Sequence, residues 1–217
     1  MAFRFLTTAA GLALTAAMPA QALTAITTLY STGVDNAGVG TSGNGVDLHW
    51  TLAGGTAYTG ATNGQFPVPP WVAETALSRW VTPQPLAAHS EPKIDFTYST
   101  TFSLAGFDPK SASFSGKFAA DDTVTLVTLN GVALPISGGG YKSWTAFDSS
   151  TGQFLAGLNT LSFTVYNGGG GPTGLDVQLN GSADASVIPE AATWAMMVTG
   201  FAMAGTAFRR RTRAVAA

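Results

Sequence analysis

Few residues in this chain can do chemistry. There are two histidines, His49 and His89, and no cysteine. Thiolate metal sites, thiol catalysis and disulfide staples are therefore excluded. His49 falls in the alternating segment 46–52, on the polar side opposite Trp50, and reads as a solvent-facing or loop-covered strand residue rather than a base. His89 belongs to the polar loop Ala87-Ala88-His89-Ser90-Glu91-Pro92. A zinc site needs three or four ligands at workable spacing, which two distant histidines among scattered acids do not supply. The sequence has no G-x-S-x-G elbow, no H-E-x-x-H and no P-loop. No catalytic residue is assigned and no enzyme activity is expected. A carboxylate pair of the glycosidase kind stays open, because such pairs meet in space and not in sequence.

Two constellations can bind without catalysing. Asp121-Asp122 sets adjacent carboxylates in one loop, which suits a hard cation such as a structural calcium. With Asp108 they are the candidate metal residues. No D-x-D-x-D-G loop accompanies them, and the preferred reading is a charged loop that caps a strand end, with no cofactor. Tyr141 and Trp144 follow the run Gly138-Gly139-Gly140. A flat ring beside a flexible loop is a platform on which the C–H face of a sugar can pack, so these two are the candidate carbohydrate-binding residues; the alternative is that Trp144, like Phe147, is core. The second run, Gly168 to Gly171, reads as a strained loop at the end of a sandwich. Neither run opens a helix, so neither is a phosphate loop.

The elements that must position these residues are strands. Period-2 alternation is common between residues 23 and 187 and helical periodicity is hard to find. Strands are expected over 25–30, over 46–52 with Val46, Leu48, Trp50 and Leu52 on one face, and over 94–102 with Ile94, Phe96 and Tyr98 inward. Further strands are expected over 112–118, 123–129, 132–136, 161–166 and 175–179. Asn130-Gly131 marks a hairpin, because both central residues of a type I′ turn need positive φ. A helical turn is expected around 148–154. Residues 66–86 hold five prolines with Trp71 and Trp80, too many for a central strand, and read as an ordered loop anchored by its tryptophans. About eight strands at this spacing predict an all-β fold, a single antiparallel β-sandwich or jelly roll.

The chain has 217 residues, 10 basic and 12 acidic, a net charge of −2. That balance is uneven along the chain. Arg4, Arg209, Arg210, Arg211, Arg213 and Glu190 lie at the ends, which leaves residues 23–188 with 5 basic and 11 acidic side chains, a net of −6. The acidic body excludes nucleic acid as a partner. Residues 1–22 have the layout of a signal peptide: Arg4, an uncharged apolar run from Phe5 to Ala17, the breaker Pro19, then Ala20-Gln21-Ala22 for signal peptidase. The body occupies 23–187. In 188–213, residues 191–208 carry no charge, enough for a membrane-spanning helix of about 27 Å at the usual rise. Arginines at 209–213 then place that end on the cytoplasmic side.

Two resemblances follow from these residues. Pro189, Glu190, Ala191, Trp194-Ala195-Met196-Met197, Gly200-Phe201, Gly205 and Arg209-Arg210-Arg211 resemble the PEP-CTERM sorting signal of Gram-negative bacteria, with Ala191 where that motif has its second proline. The resemblance implies an exosortase as processing partner, a membrane anchor before processing, and a final place at the cell surface or outside the cell, associated with exopolysaccharide or biofilm. In the body, Gly106-Phe107-Asp108-Pro109, Ser115 to Asp122, Leu129-Asn130-Gly131, Asn159 to Val165 and Gly170-Gly171-Pro172-Thr173-Gly174-Leu175 resemble the galactose-binding-like β-sandwich common among PEP-CTERM proteins, with Phe118 in place of its Trp and Asp122 in place of its Asn. The expectation is thus a non-enzymatic exported surface or matrix protein. The alternative is a carbohydrate-binding module with a specific glycan, and after it a polysaccharide-acting hydrolase.

Overall fold

A computed structural model describes residues 23–149, 153–186 and 191–214, with side chains from 194 to 206 in the last segment. The signal-peptide residues, Ala20 and Ala22 among them, and Pro189 and Glu190 lie outside the described residues.

Among the described residues, nine strands form two antiparallel sheets. In chain order they are β1 (Leu23–Ala25), β2 (Trp50–Leu52), β3 (Asp95–Ser103), β4 (Ser113–Asp121), β5 (Thr123–Leu129), β6 (Val132–Leu134), β7 (Thr145–Ser149), β8 (Leu158–Tyr166) and β9 (Gly174–Asp184). One sheet runs β1-β9-β4-β7 and the other β2-β3-β8-β5-β6. Alternation places Phe114, Phe118, Val177 and Leu179 of the first sheet against Tyr98, Phe102, Leu161, Phe163 and Val127 of the second, in one buried cluster. Phe163 is at its centre, with ring centroids 5.8 Å from Phe118, 5.8 Å from Phe147 and 6.0 Å from Trp50. These separations suit tilted and edge-to-face aromatic pairs, so the sheets interlock through rings.

The hairpin forms as expected. Asn130 has φ 53° and Gly131 φ 80°, and β5 pairs with β6 across them. Elsewhere the structure corrects the reading. The first strand is shorter and earlier, since β1 ends at Ala25 and Ile26 turns inward. Only Trp50 and Leu52 of the 46–52 segment are buried in a strand; Val46 and Leu48 are exposed, and Asp47 is the buried residue instead. Its carboxylate accepts N–H bonds from Gly33 at 2.6 Å, His49 at 2.8 Å and Trp50 at 2.7 Å, which turns the chain before the strand can start. Ile94 is exposed, one residue before β3. Asp148 and Ser149 belong to β7, not to a helical turn.

Residues 191–214 form helix α1 (Ala191–Ala214), which includes Ala191, Trp194 and Arg209 to Arg211. Among the described residues no helix is long and apolar enough to cross a membrane, so the expected transmembrane helix is not found. From Trp194 to Thr206 the helix side chains are exposed. Thr199 and Thr206 interrupt that stretch, and each folds its hydroxyl back onto helix carbonyls.

Where β4 meets β9, Gly116 faces the core. A Cβ there would stand 1.9 Å from the Gln178 carbonyl oxygen and 3.1 Å from the Phe147 ring. Gly116→Ala must part these two strands, and a loss of ~1–3 kcal/mol, the usual range for overpacking, is expected in urea unfolding. An unchanged midpoint would mean that the strands part without strain.

Candidate functional site

The Pro-rich loop 66–86 has no strand and is held by specific side-chain contacts. Trp71 and Trp80 are buried, with ring centroids 4.3 Å apart, in a second core with Ala61, Val68, Ala87 and Ala119. The Trp80 indole donates to the Val72 carbonyl at 3.0 Å, and the Val72 N–H donates to the Tyr141 carbonyl at 2.7 Å. The Trp71 indole donates to Asp121 Oδ2 at 2.6 Å, on the last residue of β4. The expected role of the tryptophans as anchors holds.

These contacts bound a recess of about 210 Å³ lined by Phe66, Pro70, Trp71, Asp121, Asp122, Tyr141, Gly170 and Pro172. Phe66 is 62% exposed at its rim. The Asp121–Asp122 peptide is cis. Asp122 Oδ2 accepts the Gly169 N–H at 2.8 Å, and the Thr173 hydroxyl donates to the Asp121 carbonyl. The glycine run 168–171 therefore closes one wall through its own backbone. Lys142 places its ammonium 5.4 Å from the Tyr141 ring centroid.

Burial pushes the Asp121 carboxyl up to about 7; the Asp122 carboxyl that hydrogen-bonds to it acts the same way, while the Trp71 N–H opposes. Asp176, buried in β9, is also pushed up to about 7, chiefly by burial. The Ser78 hydroxyl opposes this, the Glu74 charge adds to it, and Thr32 and Lys117 oppose it. Burial likewise raises Glu74 against its 2.7 Å ion pair with Arg79, and Asp47 against its three N–H donors.

The structure joins the sequence-predicted site residues selectively. Asp121, Asp122 and Tyr141 share the recess. Trp144 does not line it; half-buried against the second core, it has the Lys117 ammonium 4.5 Å from its ring centroid. Asp108 is at the other end of the sandwich. Asp121 pairs with Gly174 at the start of β9, whereas Asp108 bonds to Asp184 at its end, about 30 Å away at the rise of a strand. Among the described residues no group of three or more His, Cys, Asp or Glu can hold a metal. Phe66 was missed by sequence reasoning, since a residue before a proline in a loop gives no sign of facing a carboxylate pair. His49 stacks on Tyr30 at 3.6 Å, and His89 bonds to Glu91 at 2.9 Å; neither histidine lines the recess.

Glycosidase carboxyls stand either ~5 Å apart, for attack on the sugar, or farther, to admit a water. Asp121 and Asp122 are neighbours in the chain, and Asp121 Oδ2 is already bonded to the Trp71 indole while Asp122 Oδ2 is bonded to the Gly169 N–H. What they present is a set of acceptors beside aromatic rings.

No protein-family model and no curated protein matches the chain. Among solved structures, it is similar to TmCBM61 in complex with β-1,4-galactotriose, at 11% identity and TM-score 0.36, over 62% of this chain and 88% of that one. It is also similar to the family 11 carbohydrate-binding module from Clostridium thermocellum in complex with a β-1,3-1,4-mixed-linked tetrasaccharide, at 14% identity and TM-score 0.32, over 64% of this chain and 90% of that one.

The raised carboxyls fix the sign of the pH dependence. Folded Asp121 and Asp176 keep protons up to about pH 7, whereas unfolded carboxyls lose them near the ordinary 3.8. The folded state binds more protons in that window, so stability is greatest below it and falls as pH rises through 7. The melting temperature is expected to drop between pH 5 and pH 8. In Asp176→Asn and Asp121→Asn, which carry an amide N–H in place of the retained proton, the drop should shrink. A melting temperature that rises over this interval would contradict the assignment.

Proposed function

We propose that the chain is an exported, non-catalytic glycan-binding module whose site is the recess bounded by Phe66, Trp71, Asp121, Asp122 and Tyr141. The observation that carries this reading is an exposed Phe66 ring that lines one recess with Tyr141 and the two carboxyl groups. A sugar has an apolar C–H face and a rim of hydroxyls, so it needs a flat ring and acceptors at right angles to it. At about 210 Å³ the recess is smaller than the ~300–1,000 Å³ of drug-sized pockets, which suits one sugar ring or a chain end.

Export and sorting rest on sequence pattern. Residues 1–22 are read as a leader cut after Ala22, and Pro189, Glu190, Ala191, Trp194 and Arg209 to Arg211 as the signal recognised by an exosortase-type enzyme. A module released or attached outside the cell would meet exopolysaccharide, which is the glycan source this reading favours. Calcium on Asp121 and Asp122 is the competing use of the same residues, and it predicts binding that is lost in chelator.

Immobilised polysaccharides and a glycan array test the site. Phe66→Ala and Tyr141→Ala are each expected to weaken binding about tenfold, ~1.4 kcal/mol, with the fold retained. Trp144→Ala should lower the melting temperature and leave affinity within about twofold, because its ring packs on the second core. Silence of the folded protein across neutral, amino and acidic glycans would remove the proposal. Intact-mass measurement of the protein from its native host checks the ends. Loss of residues 1–22 and of the tail near Glu190 is expected, and a retained C-terminus would mean that Ala191 blocks processing.

A further inference from the structure

We propose that the recess selects a sugar bearing a free amino group, whose ammonium seats between the Asp121 and Asp122 carboxylates. This inference rests on the glycan-binding reading of the same recess and names the class of sugar.

The partners of the pair carry the argument. Asp121 accepts from the Trp71 indole and Asp122 from the Gly169 N–H, and both donors are neutral. The ion pairs among the described residues are Glu74–Arg79 and His89–Glu91, so neither Asp121 nor Asp122 has a cationic partner there. Two carboxyl groups that line one recess and have only neutral donors resist ionising together unless a cation joins them. Burial and the Asp122 carboxyl together keep a proton on Asp121 to about pH 7. An ammonium has three N–H donors and a full charge, so it can replace that proton and serve both carboxylates. A neutral hydroxyl offers one donor and no charge, and a uronate brings a third negative charge to the pair.

The walls suit the same ligand. The Phe66, Trp71 and Tyr141 rings line the recess, and aromatic faces attract an alkylammonium as well as sugar C–H groups. Lys142 lies over the Tyr141 ring at 5.4 Å, Lys93 passes within reach of Gly170, and Glu91 joins Gly171 through its backbone. Lys142 and Lys93 are exposed, long and able to swing away. The body's net charge of −6 draws a cationic polymer toward the surface.

The experiment uses full-length chain treated with chelator and then dialysed. Calorimetric titrations near pH 6.5 compare β-1,4-linked glucosamine oligomers, the N-acetylated oligomers of the same length and neutral β-1,4-glucan oligomers. The free-amine series is expected to bind at least tenfold tighter than the other two. Asp122→Asn keeps an acceptor for the Gly169 N–H and should bring the three series within about twofold. Asp121→Asn serves the same purpose if Asp122→Asn does not fold. Asp148→Asn, the same charge change on exposed β7, should leave the preference intact.

Equal affinity for all three series overturns the amine selectivity and leaves the glycan reading standing. Absence of binding to every series and to the wider array overturns both. An amine preference that persists in folded Asp122→Asn and Asp121→Asn places the ammonium elsewhere and overturns the proposal. So does added calcium that abolishes the amine preference and is bound stoichiometrically by the wild type but not by Asp122→Asn.

Discussion

The Trp71 indole N–H is buried under a loop that has no strand of its own, and its acceptor is a side-chain oxygen on the last residue of β4. A buried indole donor without a partner costs about 1–3 kcal/mol, so the loop is ordered only where this bond is made. The bond withdraws Asp121 from water, and burial then holds its proton. The Asp122 carboxylate, next in the chain, receives the Gly169 N–H and fixes the glycine loop. The recess, its acceptors and one of its walls all follow from a single donor finding a single acceptor.

The same logic governs the rest of the long segment between β1 and β3, which has only β2 for regular structure. Its backbone donors still need partners once buried. Asp47 takes three of them, and Glu74 takes the Trp80 N–H at 3.1 Å while pairing with Arg79. Thr32 bridges to β9 in both directions, accepting from the Val177 N–H and donating to the Asp176 carboxylate. Without cysteine, buried carboxylates do the stapling that disulfides do in many exported domains. Carboxylates are more sensitive staples, because burial raises their proton affinity as it strengthens their hydrogen bonds.

Legibility in the sequence divides along this line. The long strands could be read, because Phe96 to Phe102, Phe114 to Phe118 and Leu161 to Val165 alternate with the period of a sheet buried on one face. The Asn130-Gly131 turn could be read because its φ values admit few residue types. The Trp71 and Trp80 anchors were visible as large apolar rings in a loop that could not be a strand. Asp47 was not, since its capping role breaks the alternation it sits in and mimics a polar strand residue. Phe66 was not, because its importance comes from what lies across the recess from it. Asp108 was grouped with Asp121 and Asp122 by residue type alone, and β9 holds them at opposite ends. Tyr141 and Trp144 both pack on the second core, yet only Tyr141 also lines the recess, a difference set by the turn between them.

Position at the end of the sandwich decides what the recess can become. The faces of the two sheets are fixed by pairing, so a side chain there can move little without breaking register. The loop ends carry no such burden, which is why a proline loop and two glycine runs could converge on one place. An aromatic left open at such a place forgoes about 1.5–3 kcal/mol of burial. Phe66 is in that position, beside a second core that already holds two tryptophans. In the proposed reading this exposed ring is the surface that a glycan ligand covers. The acceptors at its side limit that ligand to one with donors along its edge, and the absence of a cation among their described partners leaves room for the charge that the ligand itself brings.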